Sequence, residues 1–475
     1  MITNTYIGKK GYTIYKENIG IKEIQELKNL LVAKAFVPGS PVKNQEGYPV
    51  YLESPKKIYI PRFFGIEKYG IPKENKLSNG IKIDITFKGD VREYQKEIIK
   101  KFMEVLDNKP GGLLDIPCGF GKTIMALKII ALLGLKTLVV VHKGFLLDQW
   151  IEKINEFLPN AKIGKIQGQI IDIEDKDIVI GMLQSLSMKD YPEGTFDDFG
   201  FTIIDECHHI GAEVFVRALQ KIVTPYILGL SATMDRKDGL TKIFKMFIGD
   251  IIYKMKRDKD DTVLVKAIKF TTTDDEFNTV EYDFRGNVKY STMMSKLCSF
   301  NARSELILEI IKKELEINDK QQIIVLAQYK NLLTYLYKAI EHRNICSVGY
   351  YLGGMKQDAL KNSESKQVII ATYAMAAEGL DIKTLTTVVL ATPKTDIEQS
   401  VGRILRVKHE QPLVIDIVDS QELFKKQWEK RKTYYFKNNY KVIYTKDYKN
   451  DDWSTLIKND NKKVQAKKCL IKLNL

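Results

Sequence analysis

Asp115–Thr123 reads DIPCGFGKT, closing the apolar run Gly112–Ile116 and opening the helical stretch Lys122–Leu133. A strand that turns through glycines into a helix presents bare backbone N–H groups at a helix N-terminus, a way of cradling phosphates. In that arrangement Pro117, Cys118, Gly119, Phe120, Gly121, Lys122 and Thr123 line an ATP phosphate site. Lys122 reaches the β- and γ-phosphates, and the Thr123 hydroxyl ligates Mg²⁺. Ile116 stands where the strict form of such a loop has its first glycine, so Gly119 and Gly121 supply the close approach.

Ile203-Ile204-Asp205-Glu206 supplies what the loop lacks. Two apolar positions bury a strand, Asp205 at its end holds the Mg²⁺ shell, and Glu206 polarises the attacking water. A strand ending in acids is ordinary alone; 83 residues after Lys122 it completes a site. Ser231-Ala232-Thr233 follows the run Tyr226–Leu230, where small hydroxyls either report nucleotide state or merely cap a helix.

Around these motifs, apolar runs at Thr137–Val141, Asp177–Gly181 and Phe201–Ile204 alternate with helical stretches such as Phe145–Phe157. That rhythm predicts a parallel α/β sheet with its motifs at the carboxyl ends of strands. A second alternation follows: helix Ala302–Leu315, then strands Gln322–Ala327, Gln367–Thr372, Thr387–Ala391 and Leu413–Val418. Within it, TYAMAAEGLD (372–381) places Gly379 and Asp381 at a turn on the nucleotide side. QSVGRILR (399–406) puts Arg403 and Arg406 on one face of a helix, able to neutralise phosphoryl charge.

The domain reading is 1–90, a small α+β accessory domain with a helix at Ile21–Ala35; 91–253, a first α/β lobe; and 254–300, a linker or insertion. Residues 301–420 form a second lobe and 421–475 a basic aromatic extension. That extension holds 15 Lys/Arg against 6 Asp/Glu, a large share of the chain's net charge of +14. Its nine aromatics are read either as a core or as a base-stacking surface, and its charge as a nucleic-acid contact. Five cysteines without a CxxC pair argue against a zinc ribbon, a four-cysteine iron–sulfur cluster or a disulfide framework. No apolar run spans a bilayer and no signal peptide opens the chain, so an intracellular soluble protein is expected.

In order along the chain, these motifs resemble those of the superfamily 2 helicases and translocases over about residues 90–420. GFGKT is similar to their motif I, DECHH to motif II, SAT to motif III, ATYAMAAEGLD to motif V and QSVGRILR to motif VI. The resemblance implies two tandem RecA-like lobes sandwiching ATP and Mg²⁺, working as a monomeric motor on nucleic acid, DNA favoured over RNA. It implies that Gln95 reads adenine, and that Lys143, Gln184, Ser185 and Thr372 grip the nucleic-acid backbone. It further implies that His208, with Gln399, Ser231, Ala232 and Thr233, couples hydrolysis to lobe movement. Lys122, Asp205, Glu206, Gln399, Arg403 and Arg406 then carry catalysis. PCGFGKT, DECHH and YIPRFFG (59–65) resemble the XPB and UvsW group, and within it the poxvirus-type transcript-release helicases of large cytoplasmic DNA viruses. This last likeness implies host cytoplasm or virion and RNA polymerase or other transcription factors as partners.

Overall fold

A computed structural model describes residues 4–34, 47–117, 119–206, 212–232, 241–255, 262–378, 380, 382–405 and 409–457. The chain divides into two compact units, Met1–Arg257 and Asp258–Leu475. Among the described residues no helix is long and apolar enough to cross a membrane.

The first unit is built on an eight-stranded sheet. Its order is Ile170–Asp172, Ile163–Gln167, Ile178–Met182, Thr137–Val141, Phe201–Ile204, Tyr226–Ser231, Gly111–Asp115 and Ile251–Lys254. All neighbours are parallel except the first pair. Successive residues explain the continuous apolar runs. Leu113, Leu138, Val140 and Ile204 enter one core, while Leu114, Val139, Val141 and Ile203 enter another on the opposite face. A strand covered on both sides needs apolar residues at every position, not every second one.

A five-stranded sheet precedes it, ordered Leu52–Glu53, Lys57–Ile60, Gly11–Tyr15, Thr5–Gly8 and Glu74–Asn75. The first helix covers Ile21–Leu30, shorter than the expected Ile21–Ala35, because the chain leaves it to pair Val32–Ala33 with Tyr48–Pro49. This small sheet shares a core with the larger one: Ile7, Tyr12 and Ile14 pack in the same cluster as Leu138 and Phe244. Buried Arg62 fastens the join, its Nη1 donating to the Thr224 carbonyl at 2.8 Å and the Pro225 carbonyl at 3.0 Å. Burial lowers its guanidinium to about 10. Residues 81–88 already run along the larger sheet, through Ile83 N to Gly134 O at 2.9 Å and Lys88 N to Phe157 O at 2.8 Å.

The second unit also holds an eight-stranded sheet. Its order is Val348–Tyr351, Val368–Thr372, Gln322–Ala327, Leu385–Leu390, Leu413–Asp419, Leu264–Phe270, Lys441–Thr445 and Ser454–Leu456. Only the last strand is antiparallel. Two segments depart from the sequence reading. Leu264–Phe270, expected within a linker, is an interior strand paired along its length with Leu413–Asp419. Lys266 disguised it by breaking the apolar run; its ammonium is matched by nearly buried Glu314 at 2.6 Å. Residues 421–457, the described part of the expected extension, are no appendage, for Lys441–Thr445 pairs with that same strand. The helix Glu422–Lys437 is pinned by Arg431, which bridges Asp416 with Nε and Nη2 at 2.8 and 2.9 Å. Tyr435 donates to the same carboxylate at 2.7 Å. Phe424, Trp428, Tyr435, Tyr440 and Tyr448 are buried, so core packing claims most of the extension's large rings.

Candidate active site

The phosphate loop forms where Gly111–Asp115 ends and helix Lys122–Leu133 begins. Gly119 and Gly121 have φ of 88° and 74°, left-handed values that turn successive N–H groups inward and that residues with a Cβ rarely adopt. A Cβ on Gly121 would also lie 2.4 Å from Gln95 Nε2. The loop is fixed at its root. Ile116 N donates to Ser231 O at 2.8 Å, and buried Asp115 meets Lys254 Nζ at 3.1 Å. Cys118 lies outside the described residues.

Lys122 Nζ lies 3.0 Å from Glu206 Oε1 and donates to the Ile116 carbonyl at 3.3 Å. This ion pair reaches past the intervening Tyr226–Ser231 strand, joining residues 84 apart. Glu206 sits at φ 48°, a conformation that costs a non-glycine residue about 1–3 kcal/mol and recurs where side chains are aimed for chemistry. Asp205, buried at the preceding position, accepts Trp150 Nε1–H on Oδ2 at 2.8 Å. Burial, then the Glu206 charge, raise its carboxyl to about 6, while the Trp150 bond and the Lys122 charge oppose them. Thr123 follows Lys122 in the first helical turn, and Phe120 is half-buried in the loop. Hydroxyl and carboxylate are the hard oxygen donors that Mg²⁺ selects, so Thr123 and Asp205 fit that ion.

Gln95 is buried rather than open. Its Oε1 accepts Arg92 N at 2.9 Å, capping helix Glu93–Leu106, and its Nε2 donates to Phe120 O at 3.1 Å. Tyr94 Oη donates to the same carbonyl at 3.2 Å. Both residues clamp the loop from outside. Ser231 and Ala232 are buried at the end of their strand; Thr233 and His208 lie outside the described residues. On the same carboxyl edge, Gln184 Nε2 donates to His142 O at 3.3 Å, placing it against the residue before Lys143. Ser185 Oγ accepts Gly168 N at 3.0 Å.

In the second unit two of the predicted residues, Thr372 and Arg403, meet backbone groups of that unit. Thr372 Oγ1 accepts Met375 N at 3.4 Å, a helix-cap geometry. Half-buried Gln399 lies in the helix Glu398–Gly402. Arg403 is the C-cap of that helix, and the expected pairing of Arg403 with Arg406 on one helical face falls partly outside the described residues. Arg403 is buried, with Nη1 donating to Leu380 O at 2.8 Å. Leu380 lies between Gly379 and Asp381, which with Arg406 are outside the described residues. The sequence reading missed Trp150 as the partner of Asp205. No local pattern reveals it, since the two are 55 residues apart.

The model for the res subunit of type III restriction enzymes matches residues 88–236, and that for the helicase conserved C-terminal domain matches residues 305–408. A "Putative ATP-dependent RNA helicase" of Acanthamoeba polyphaga mimivirus is 37% identical over 453 residues, covering 92% of this chain and 86% of that protein. A protein of the same printed name from African swine fever virus (isolate Pig/Kenya/KEN-50/1950) is 27% identical, covering 74% of this chain and 73% of that protein. The DNA 3'-5' translocase XPB2 of Sulfurisphaera tokodaii is 23% identical, covering 83% of this chain and 96% of that protein.

Proposed function

This chain belongs to the superfamily 2 helicases, related to viral ones, and from that premise we propose an ATP-driven motor on duplex or branched DNA. It is a nucleic-acid-dependent ATPase. The observation that carries the mechanism is the 3.0 Å pair between Lys122 and Glu206 at the mouth of the glycine loop. Arriving phosphates offer Lys122 a denser negative charge than one carboxylate, so Lys122 turns to them. Glu206, released, orients the attacking water and accepts its proton. Thr123 and Asp205 would hold Mg²⁺, which when bound neutralises phosphate charge. The loop amides keep the phosphates in line.

Arg403, with Arg406, stabilises charge on the transferring phosphoryl group, and Gly379 and Asp381 complete the nucleotide's surroundings. Lys143, Gln184, Ser185 and Thr372 hold the nucleic-acid backbone; Gln399, His208, Ser231, Ala232 and Thr233 couple hydrolysis to that grip. Gln95 acts first on the loop, through Phe120 O, and so links adenine to phosphate recognition. A second reading draws on the resemblance to transcript-release helicases. The motor would remodel a transcription complex in a viral setting, displacing polymerase or nascent RNA without processive unwinding.

ATP turnover at fixed salt with single-stranded DNA, duplex DNA, forked DNA and RNA tests the substrate. Strongest stimulation by duplex or forked DNA is expected, and stimulation by RNA alone contradicts it. Strand displacement on the same forks separates the readings: unwinding supports a helicase, and turnover without unwinding supports the remodeller.

A further inference from the structure

The small N-terminal sheet has one face in the core and another outside it. Pairing sets Tyr6 opposite Thr13, Thr13 opposite Tyr59, and Tyr15 opposite Lys57. Side chains of directly paired residues share a face, so these five lie on one side of the sheet, Thr13 buried and the other four half-buried. The alternate positions Ile7, Tyr12, Ile14, Ile58 and Ile60 are buried in the core on the other. Tyr6, Tyr15 and Tyr59 are half-buried and belong to no core cluster.

Lysines border these rings. Lys57 Nζ lies 4.7 Å from the Tyr15 centroid and 5.3 Å from that of Tyr6. Lys76 Nζ lies 4.3 Å from the Tyr6 centroid, and Lys10 Nζ 5.2 Å from that of Tyr59. Lys16 is tied to Glu53 and Lys76 to Glu74; among the described residues Lys10 and Lys57 pair with no carboxylate, and Lys57 Nζ donates to Tyr6 Oη at 3.1 Å. Residues 1–90 carry 15 Lys/Arg against 9 Asp/Glu, a net +6.

Cation–π contacts at solvent are worth only about 0.5–1 kcal/mol each, too little to explain three large rings on one sheet face as a stability device. Rings flanked by uncompensated cations match a strand whose bases are unstacked and whose phosphates run alongside. A duplex keeps its bases inside and could use the lysines alone.

Given the reading of this chain as a nucleic-acid motor, we propose that the Tyr6–Tyr15–Tyr59 face binds single-stranded nucleic acid. The tyrosines stack bases, and Lys10 and Lys57 neutralise phosphates. The face holds a strand for the motor to act on.

The test is fluorescence anisotropy of the full chain, without nucleotide, on labelled oligo(dT), oligo(rU) and a blunt duplex. Tyr15→Leu and Tyr59→Leu should each weaken single-strand binding by about five-fold or more while leaving duplex binding within two-fold. Tyr15→Phe and Tyr59→Phe, which keep the ring, should bind like the parent and show that loss reflects stacking, not misfolding. Lys10→Gln with Lys57→Gln should reduce the single-strand salt slope by about 1.4. The dT and rU arms show which sugar the face accepts. Unchanged single-strand binding in the Leu variants, or equal loss on single strand and duplex, overturns the proposal. Basal ATP turnover in the same variants keeps the two claims apart. A chain without turnover whose Tyr variants lose single strands refutes the motor and retains the face.

Discussion

The two units share a sheet architecture but hold their key cations differently. In the first, Lys122 is paired with Glu206, a carboxylate that the proposed mechanism has it exchange for phosphate. In the second, buried Arg403 donates to the Leu380 carbonyl, and two other arginines make bidentate bridges to carboxylates. Those are Arg303 with Asp419 and Arg431 with Asp416, both wholly buried. The difference separates two uses of charge. The proposed mechanism needs an exchangeable pairing at Lys122, whereas Arg303 and Arg431 are locked into bidentate, desolvated bridges.

The sharpest break in that contrast comes from the exchangeable pair. Lys122→Ala and Glu206→Gln should each abolish nucleic-acid-stimulated turnover while leaving nucleic-acid binding largely intact; surviving turnover in either refutes the role given to the pair. Next in size is the locked pair. Arg431→Met leaves Asp416 buried without its counter-charge and should lower unfolding free energy by about 3–5 kcal/mol in a denaturant titration. The matching change in the first unit, Lys254→Gln, touches a half-exposed lysine and should cost about 1 kcal/mol or less. Equal losses would erase the distinction. Smaller again is Trp150→Phe, which removes the indole N–H from Asp205 but keeps an aromatic core residue. The Mg²⁺ concentration for half-maximal turnover should rise about 10- to 100-fold, and an unchanged requirement would show that the bond is only packing.

Much of this was legible because buried parallel strands leave unbroken apolar runs. Thr137–Val141, Phe201–Ile204 and Gln322–Ala327 stand at their expected bounds. Leu264–Phe270 escaped because Lys266 and Lys269 imitate a solvated segment, and only the fold supplies Glu314. The C-terminal helix escaped for the same reason. Its charge advertises solvent, yet Arg431 points inward to Asp416. That the glycine loop and Asp205-Glu206 follow parallel strands of one sheet was readable from residue type and order. Burial of Gln95 behind Phe120 was not, since a glutamine beside a helix start carries no sign of which way its amide will face.

The role proposed for Arg403, stabilising charge on the transferring phosphoryl group, is tested most directly at Arg403 itself. Measured at saturating nucleic acid, full-length Arg403→Ala should lose about 10³-fold in kcat with ATP affinity nearly unchanged. Loss of affinity alone, or kcat equal to the parent, would contradict that role.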